Sequence, residues 1–248
     1  RIVAMARRQK SKAADFLRRL VAIPSESRSE NGVALAVRKE MLKLGYPFSD
    51  IDRFGNVVGR IGTGRTKIIF DAHIDTRGIG DRSSWRFDPY AGDMKAGKVY
   101  GHGAANNKGG LAAIIYAGSM IKELDLTGDT TVYIVGSVQA ELCEGLAYKA
   151  LFDVEKLVPD YVILSMPTGM RLCRGHRGRI EFEITLRGQP VHSSDPSKGF
   201  NCIYGISKIV QEIEALNSKL PSDKFLGKAS VAVTHIDCDY NGPTALPE

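Results

Sequence analysis

Apolar residues recur along the first half of the chain at two spacings that alternate. Residues 13–22 (AADFLRRLVA) carry them at helical period and stop before Pro24, which cannot continue a helix. Val33, Leu35, Val37, Met41 and Leu44 predict a second amphipathic helix, opened near Ser29 and Glu30 and closed by Gly45. Val57–Ile61 and residues 67–70 are β-rich, and Gly62-Thr63-Gly64 between them reads as a hairpin-like break. Residues 108–124 return to the helical period. Residues 130–138 (TTVYIVGSV) are apolar at nearly every position, the pattern of a strand buried on both faces. Residues 144–151 predict a short helix and Tyr161–Leu164 another buried strand. Helices alternating with buried strands predict an α/β architecture, a mostly parallel sheet covered by helices.

The texture changes after Cys173. Residues 179–186 (RIEFEITL) alternate strictly, which predicts a strand with one wet face. Residues 199–220 predict a long amphipathic helix, and residues 228–236 (KASVAVTHI) alternate again. This β-α-β run predicts the start of a smaller α+β domain, so the expected division is 1–175 and 176–248. A module of two strands and one helix leaves its sheet edge unpaired. The second domain is therefore expected to be incomplete where the sequence stops at Pro247-Glu248.

Composition narrows the function classes. No run of 18 apolar residues occurs, so no membrane span is expected. The basic segment 1–12 lacks the apolar stretch and cleavage site of a signal peptide. Four cysteines lie far apart without a C-x-x-C pair, which argues against a disulfide framework and points to the cytoplasm. The net charge of +6 comes from Lys and Arg spread along the chain rather than gathered with aromatics, so a nucleic-acid partner is not expected.

The candidate chemistry begins at Phe70-Asp71-Ala72-His73-Ile74-Asp75-Thr76, where an apolar run ends in His-x-Asp. Residues two apart on a strand share a face, so Asp75 can reach the His73 ring and fix its tautomer. Alone, that pair fits a hydrogen-bonded structural histidine better than a ligand. The turn Gly101-His102-Gly103-Ala104-Ala105-Asn106-Asn107-Lys108-Gly109-Gly110 adds specificity. It lacks the G-x-x-x-x-G-K-[ST] spacing of a phosphate loop.

With AHIDT, WRFDPY, VYGHGAANNKGG, VQAELCEGL, MPTGM, RGHRGRIEFEI and HSSDPSKGFN, the chain resembles the M20 family of zinc metallopeptidases. That family includes acetylornithine deacetylase and succinyl-diaminopimelate desuccinylase, and the texture is most similar to the hydrolases linked to selenium metabolism. The resemblance implies two zinc ions at the carboxyl ends of the strands and amide hydrolysis of small peptides or N-acyl amino acids. It also implies a lid domain through which homodimers form. It places a zinc ligand at His73, its orienting carboxylate at Asp75 and a second ligand at Glu141. His192, in HSS-x-P, matches the lid histidine that holds the substrate carbonyl, and Asn201 the lid G-x-N position.

Several acids of the pattern are missing. The bridging Asp falls on Asn106, the general-base Glu on Ala140, and another Glu ligand on Met166. Arg77 stands where a small apolar residue usually follows HxDT, and His102 replaces the Arg of the G-R-G motif. The expectation is an impaired or inactive hydrolase, with two rival forms. One is an enzyme surviving on an altered, single-metal site; the other is a non-catalytic relative that keeps the scaffold for binding or dimerisation. Compensation by His102 or Asn107 is not expected. Asp71 is expected to be structural, Cys143 a small buried filler, Met166 simple packing, and His176 and His235 ordinary surface or strand residues.

Overall fold

The computed structural model describes residues 1–143 and 145–238. Contacts divide the chain into two units, Arg1–Met170 and Arg171–Glu248.

In the first unit, α1 spans Ile2–Val21 and so begins well before residue 13. Lys, Arg and Gln are good helix formers, and Met5 turns inward at 4% exposure, so the basic segment continues the helix. Helix α2, Asn31–Lys43, buries Val33, Val37 and Met41 at intervals of four, leaving Leu35 exposed on another face. Gly45 follows at φ +78°.

The strands are β1 (Phe48–Ile51), β2 (Val57–Ile61), β3 (Thr66–His73), β4 (Asp93–Lys95), β5 (Lys98–Tyr100), β6 (Thr130–Ser137) and β7 (Tyr161–Leu164). Five of them form one sheet in the order β1-β2-β6-β3-β7, and β4 pairs with β5. Strands β1, β6, β3 and β7 point one way and β2 runs against them. The hairpin expected between β2 and β3 does not form, because β6 lies between them, antiparallel to β2 and parallel to β3. A strand apolar on both faces belongs at the centre, and the break at Gly62 serves to leave the sheet. Gly62 sits at φ +79°, and a Cβ there would lie 2.5 Å from the Thr130 carbonyl oxygen. The parallel β3–β6 pairing requires a crossover, in which α3 (Gly109–Glu123) lies.

Alternation along β6 sends Val132 and Ile134 to one face and Tyr133 and Val135 to the other. The first pair joins Phe16, Leu20, Val37, Met41, Leu111 and Ile115 of the three long helices. The second packs with Val58, Ile69 and Leu151 beneath α4 (Leu146–Lys149) and the wide turn Ala150–Val154. Glu144, where this helix was expected to begin, lies outside the described residues. Strand β7 forms as expected but is not buried: its four residues are 41–63% exposed. It pairs with β3 on one side and, among the described residues, ends the sheet on the other. Burial follows rank in the sheet, which an apolar tetrapeptide does not encode.

In the second unit α5 spans Cys202–Leu216, and the described ladder is only β8 (Ser222–Asp223) with β9 (Gly227–Lys228). Residues 179–186 and 228–236 do not form the expected strands. Alternation qualifies a segment for a sheet, but a strand exists only through a laddered partner, and isolated pairs are marginal. Ile180 and Phe182 accordingly stand exposed. Pro247 and Glu248 lie outside the described residues. No helix among the described residues is long and apolar enough to cross a membrane.

Candidate active site

The site grows from the carboxyl ends of β3 and β6. Their parallel register sets His73 beside Ser137, and Ile74 N–H donates to the Ser137 carbonyl at 2.8 Å. Residues 138–141 are thereby carried alongside 73–76. The chain after β3 is held by Thr76 N–H to Ser25 O at 2.8 Å and Ser25 Oγ to Ile74 O at 2.9 Å.

Asp75 is fully buried and heavily bonded. Its Oδ1 lies 3.2 Å from His73 Nδ1 and accepts Ala140 N–H at 3.1 Å. Its Oδ2 accepts Glu141 N–H at 2.9 Å and Ser27 Oγ–H at 2.7 Å. Burial alone would raise the Asp75 pKa, but the hydrogen bonds from His73, Ser27 and Glu141 outweigh it and hold the carboxyl below its ordinary range. Burial likewise works against the His73 cation, yet Asp75 and Asn106 together raise the imidazole above its ordinary value.

The Gly-rich turn brings Asn106 to this pair. Gly103 adopts φ +74°, where a Cβ would meet Thr76 Cγ2 at 2.6 Å. A wide helical turn, Ala104–Lys108, follows, interrupted at Asn106 (φ −124°, ψ 92°). Buried Lys108 anchors it, with Nζ donating to Leu20 O at 2.9 Å and Ile23 O at 2.7 Å. Burial pushes its ammonium down to about 8. Buried Asn107 donates to Ser165 O. Asn106 then faces both expected ligands: its Oδ1 lies 3.2 Å from His73 Nε2, and its Nδ2 donates to Glu141 Oε1 at 3.1 Å. Glu141 Oε2 accepts from Arg77 Nε at 2.8 Å. One continuous chain therefore runs Asp75–His73–Asn106–Glu141–Arg77.

The other expected residues fall elsewhere. Ala140 contributes only its backbone N–H. Met166 is half exposed, its sulfur 4.0 Å from Asn107 Nδ2. His102 Nε2 bonds the Arg77 carbonyl at 2.6 Å and its ring stands edge-on to Trp85, so it is turned to the loop rather than to His73. Asp71, on the face of His73 but deeper, accepts through Oδ2 from Ser137 Oγ at 3.1 Å. Burial raises its pKa to about 6, against the Ser137 and Tyr148 hydrogen bonds and the His73 charge. Cys143 is exposed rather than a buried filler, because it follows the turn that leaves the sheet. In the second unit, His192 Nδ1 accepts Ser194 N–H at 3.2 Å and lies 2.8 Å from Ser194 Oγ. Asn201 caps α5 by accepting Ile203 N–H at 2.9 Å.

The donor set does not fit the two-metal centre that the resemblance implies. Among the described residues no three His, Cys, Asp or Glu side chains come together in a way that could hold an ion. Catalytic zinc usually takes three protein ligands, and here an amide links the two that remain. The sequence reading missed Ser27 and Lys108 and the backbone donors of residues 140 and 141, which carry no residue-type signal. It placed Arg77 beside the site without finding its partner, Glu141.

Comparison with known proteins identifies the family and the fold. Residues 69–218 match the sequence profile of Peptidase family M20/M25/M40. YgeY of Escherichia coli K12, itself uncharacterized, is 40% identical over 221 residues, covering 89% of this chain and 55% of that protein. Acetylornithine deacetylase of Pasteurella multocida Pm70 is 34% identical over 61% of this chain and 38% of that enzyme. The M20 metallo-carboxypeptidase Sso-CP2 of Sulfolobus solfataricus shares the fold at TM-score 0.67 and 17% identity, over 96% of this chain and 68% of that one. The chain spans about half the length of the curated relatives it matches, or less. With the family profile covering more than half of its residues and the helix-covered sheet of a solved member, the chain belongs to the M20 peptidase family.

Proposed function

We propose that this chain is an M20 member that has lost metal-assisted amide hydrolysis and keeps the framework of the site for binding small peptides or N-acyl amino acids. The observation that carries this reading is Asn106, whose amide joins His73 to Glu141 where a carboxylate would bridge two cations. The general-base position supports it: Ala140 has no titratable side chain, and its N–H is committed to Asp75. Loss of a general base alone typically lowers a rate by ~10²–10⁴-fold. Met166 adds only a soft thioether, poorly matched to zinc beside oxygen ligands.

The ligand class rests on the relatives, one of which is named for deacetylating acetylornithine. A cytoplasmic location, dimerisation through residues 176–248 and substrate contacts from His192 and Asn201 belong to the same proposal. The test is turnover of N-acetylornithine and a dipeptide panel with zinc added, repeated after chelation. No turnover above background is expected in either condition. Turnover that chelation abolishes would overturn the proposal.

A further inference from the structure

We infer that Arg77 is the resident cation of this site, standing in for the metal by neutralising and engaging Glu141. The inference rests on the reading above that the site has given up its ions.

The side chains of the frame stand slightly closer together than ligands around a metal. Zinc bonds of ~2.0–2.2 Å to nitrogen and oxygen place neighbouring ligand atoms ~3.3–3.6 Å apart in a tetrahedron. The separations here are 3.2 Å from His73 Nε2 to Asn106 Oδ1 and 3.1 Å from Asn106 Nδ2 to Glu141 Oε1. Hydrogen bonds now span these gaps. A neutral amide between two groups suits that purpose, since it accepts at one end and donates at the other. That leaves Glu141 Oε2, and the Arg77 guanidinium takes it at 2.8 Å.

Charge makes the same point. By the family pattern, carboxylates are missing at 106, 140 and 166, and a guanidinium has been gained at 77. A site stripped of its ions but keeping Glu141 needs a counter-charge beside it, and Arg77 supplies it. Arg is well suited, being always protonated and weakly hydrated. Its side chain is 61% exposed while that of Glu141 is 20% exposed, so the arginine reaches inward to the acid from the surface. Ring packing fixes the loop that presents it, through His102 on the Arg77 carbonyl and against Trp85.

The consequence concerns which changes restore metal binding. Asn106→Asp alone would set an acid between His73 and Glu141, giving three side chains of ligand type. Arg77 would still hold Glu141. Zinc is titrated by calorimetry into the wild type, into Asn106→Asp and into Asn106→Asp with Arg77→Ala. Arg77→Gln serves as a second partner substitution, and circular dichroism establishes folding. The expected result is no binding by the wild type, and one zinc bound at least about tenfold more tightly by the double variant than by Asn106→Asp alone, a difference of the size seen when a ligand's outer-shell partner changes. Equal affinity of the single and double variants, or no binding by either folded protein, would overturn the role of Arg77 and leave the proposed function standing. Tight zinc binding by the wild type would overturn both.

Discussion

Burial sets Asp71 against its own ionisation, and this has a consequence that equilibrium unfolding can read. Its carboxyl titrates at about 6 in the fold against an ordinary 3.8, so between those values the folded state binds the extra proton. Stability attributable to this group therefore increases as pH falls from above 6 towards 3.8, on the order of 3 kcal/mol at most. Urea unfolding at pH 7 and pH 5 should show the wild type gaining relative to Asp71→Asn, and parallel changes in the two proteins would contradict the assignment. Lys108 is the second residue whose cost is structural. Its ammonium satisfies two carbonyls at the end of α1, so Lys108→Ala removes both bonds and leaves a cavity. A loss of about 2–4 kcal/mol is expected, with Lys108→Met losing less because it fills the space. An exposed-lysine effect, below about 0.5 kcal/mol, would show that the anchor is not used.

Elements were legible where local pattern and final position coincide. Strand β6 declares itself as central because both its faces are apolar, and His73 with Asp75 is legible because a period of two puts them on one side. The pattern failed where position depends on partners. Strand β7 has the composition of a core strand but ends the sheet among the described residues, and residues 179–186 alternate correctly yet pair with no described strand. The start of α1 is not legible in the pattern, because its first turns are polar helix formers around a single buried apolar residue, Met5. Glu141 was placed at the site by resemblance, and the β3–β6 register supplies the physical reason. Close packing between elements yields a further prediction at Gly59 on β2. A Cβ there would lie 2.7 Å from Met41 Sδ and 2.8 Å from a Tyr46 ring carbon. Gly59→Ala should lower stability by about 1–3 kcal/mol, visible as a lower urea midpoint. A midpoint at or above the wild type would mean that α2 yields more readily than its contacts suggest.

For the molecule as a whole, the sheet, the Gly-rich turn and the anchoring Lys108 are those of a scaffold built to present charged groups at strand ends. The side chains at that end carry the proposed loss of metal chemistry. Asn106, Ala140 and Met166 remove acid from it, Arg77 adds a base, and Asp75, Ser27 and the backbone of residues 140 and 141 remain bonded as a frame. That combination accounts for a family legible in the sequence beside the loss of its metal chemistry proposed above. The most direct measurement is zinc stoichiometry by native mass spectrometry on the folded chain near neutral pH, at micromolar zinc. The account predicts the mass of the protein alone. Two zinc ions retained per chain would contradict it, since they would require a ligand set that the His73–Asn106–Glu141–Arg77 arrangement does not provide.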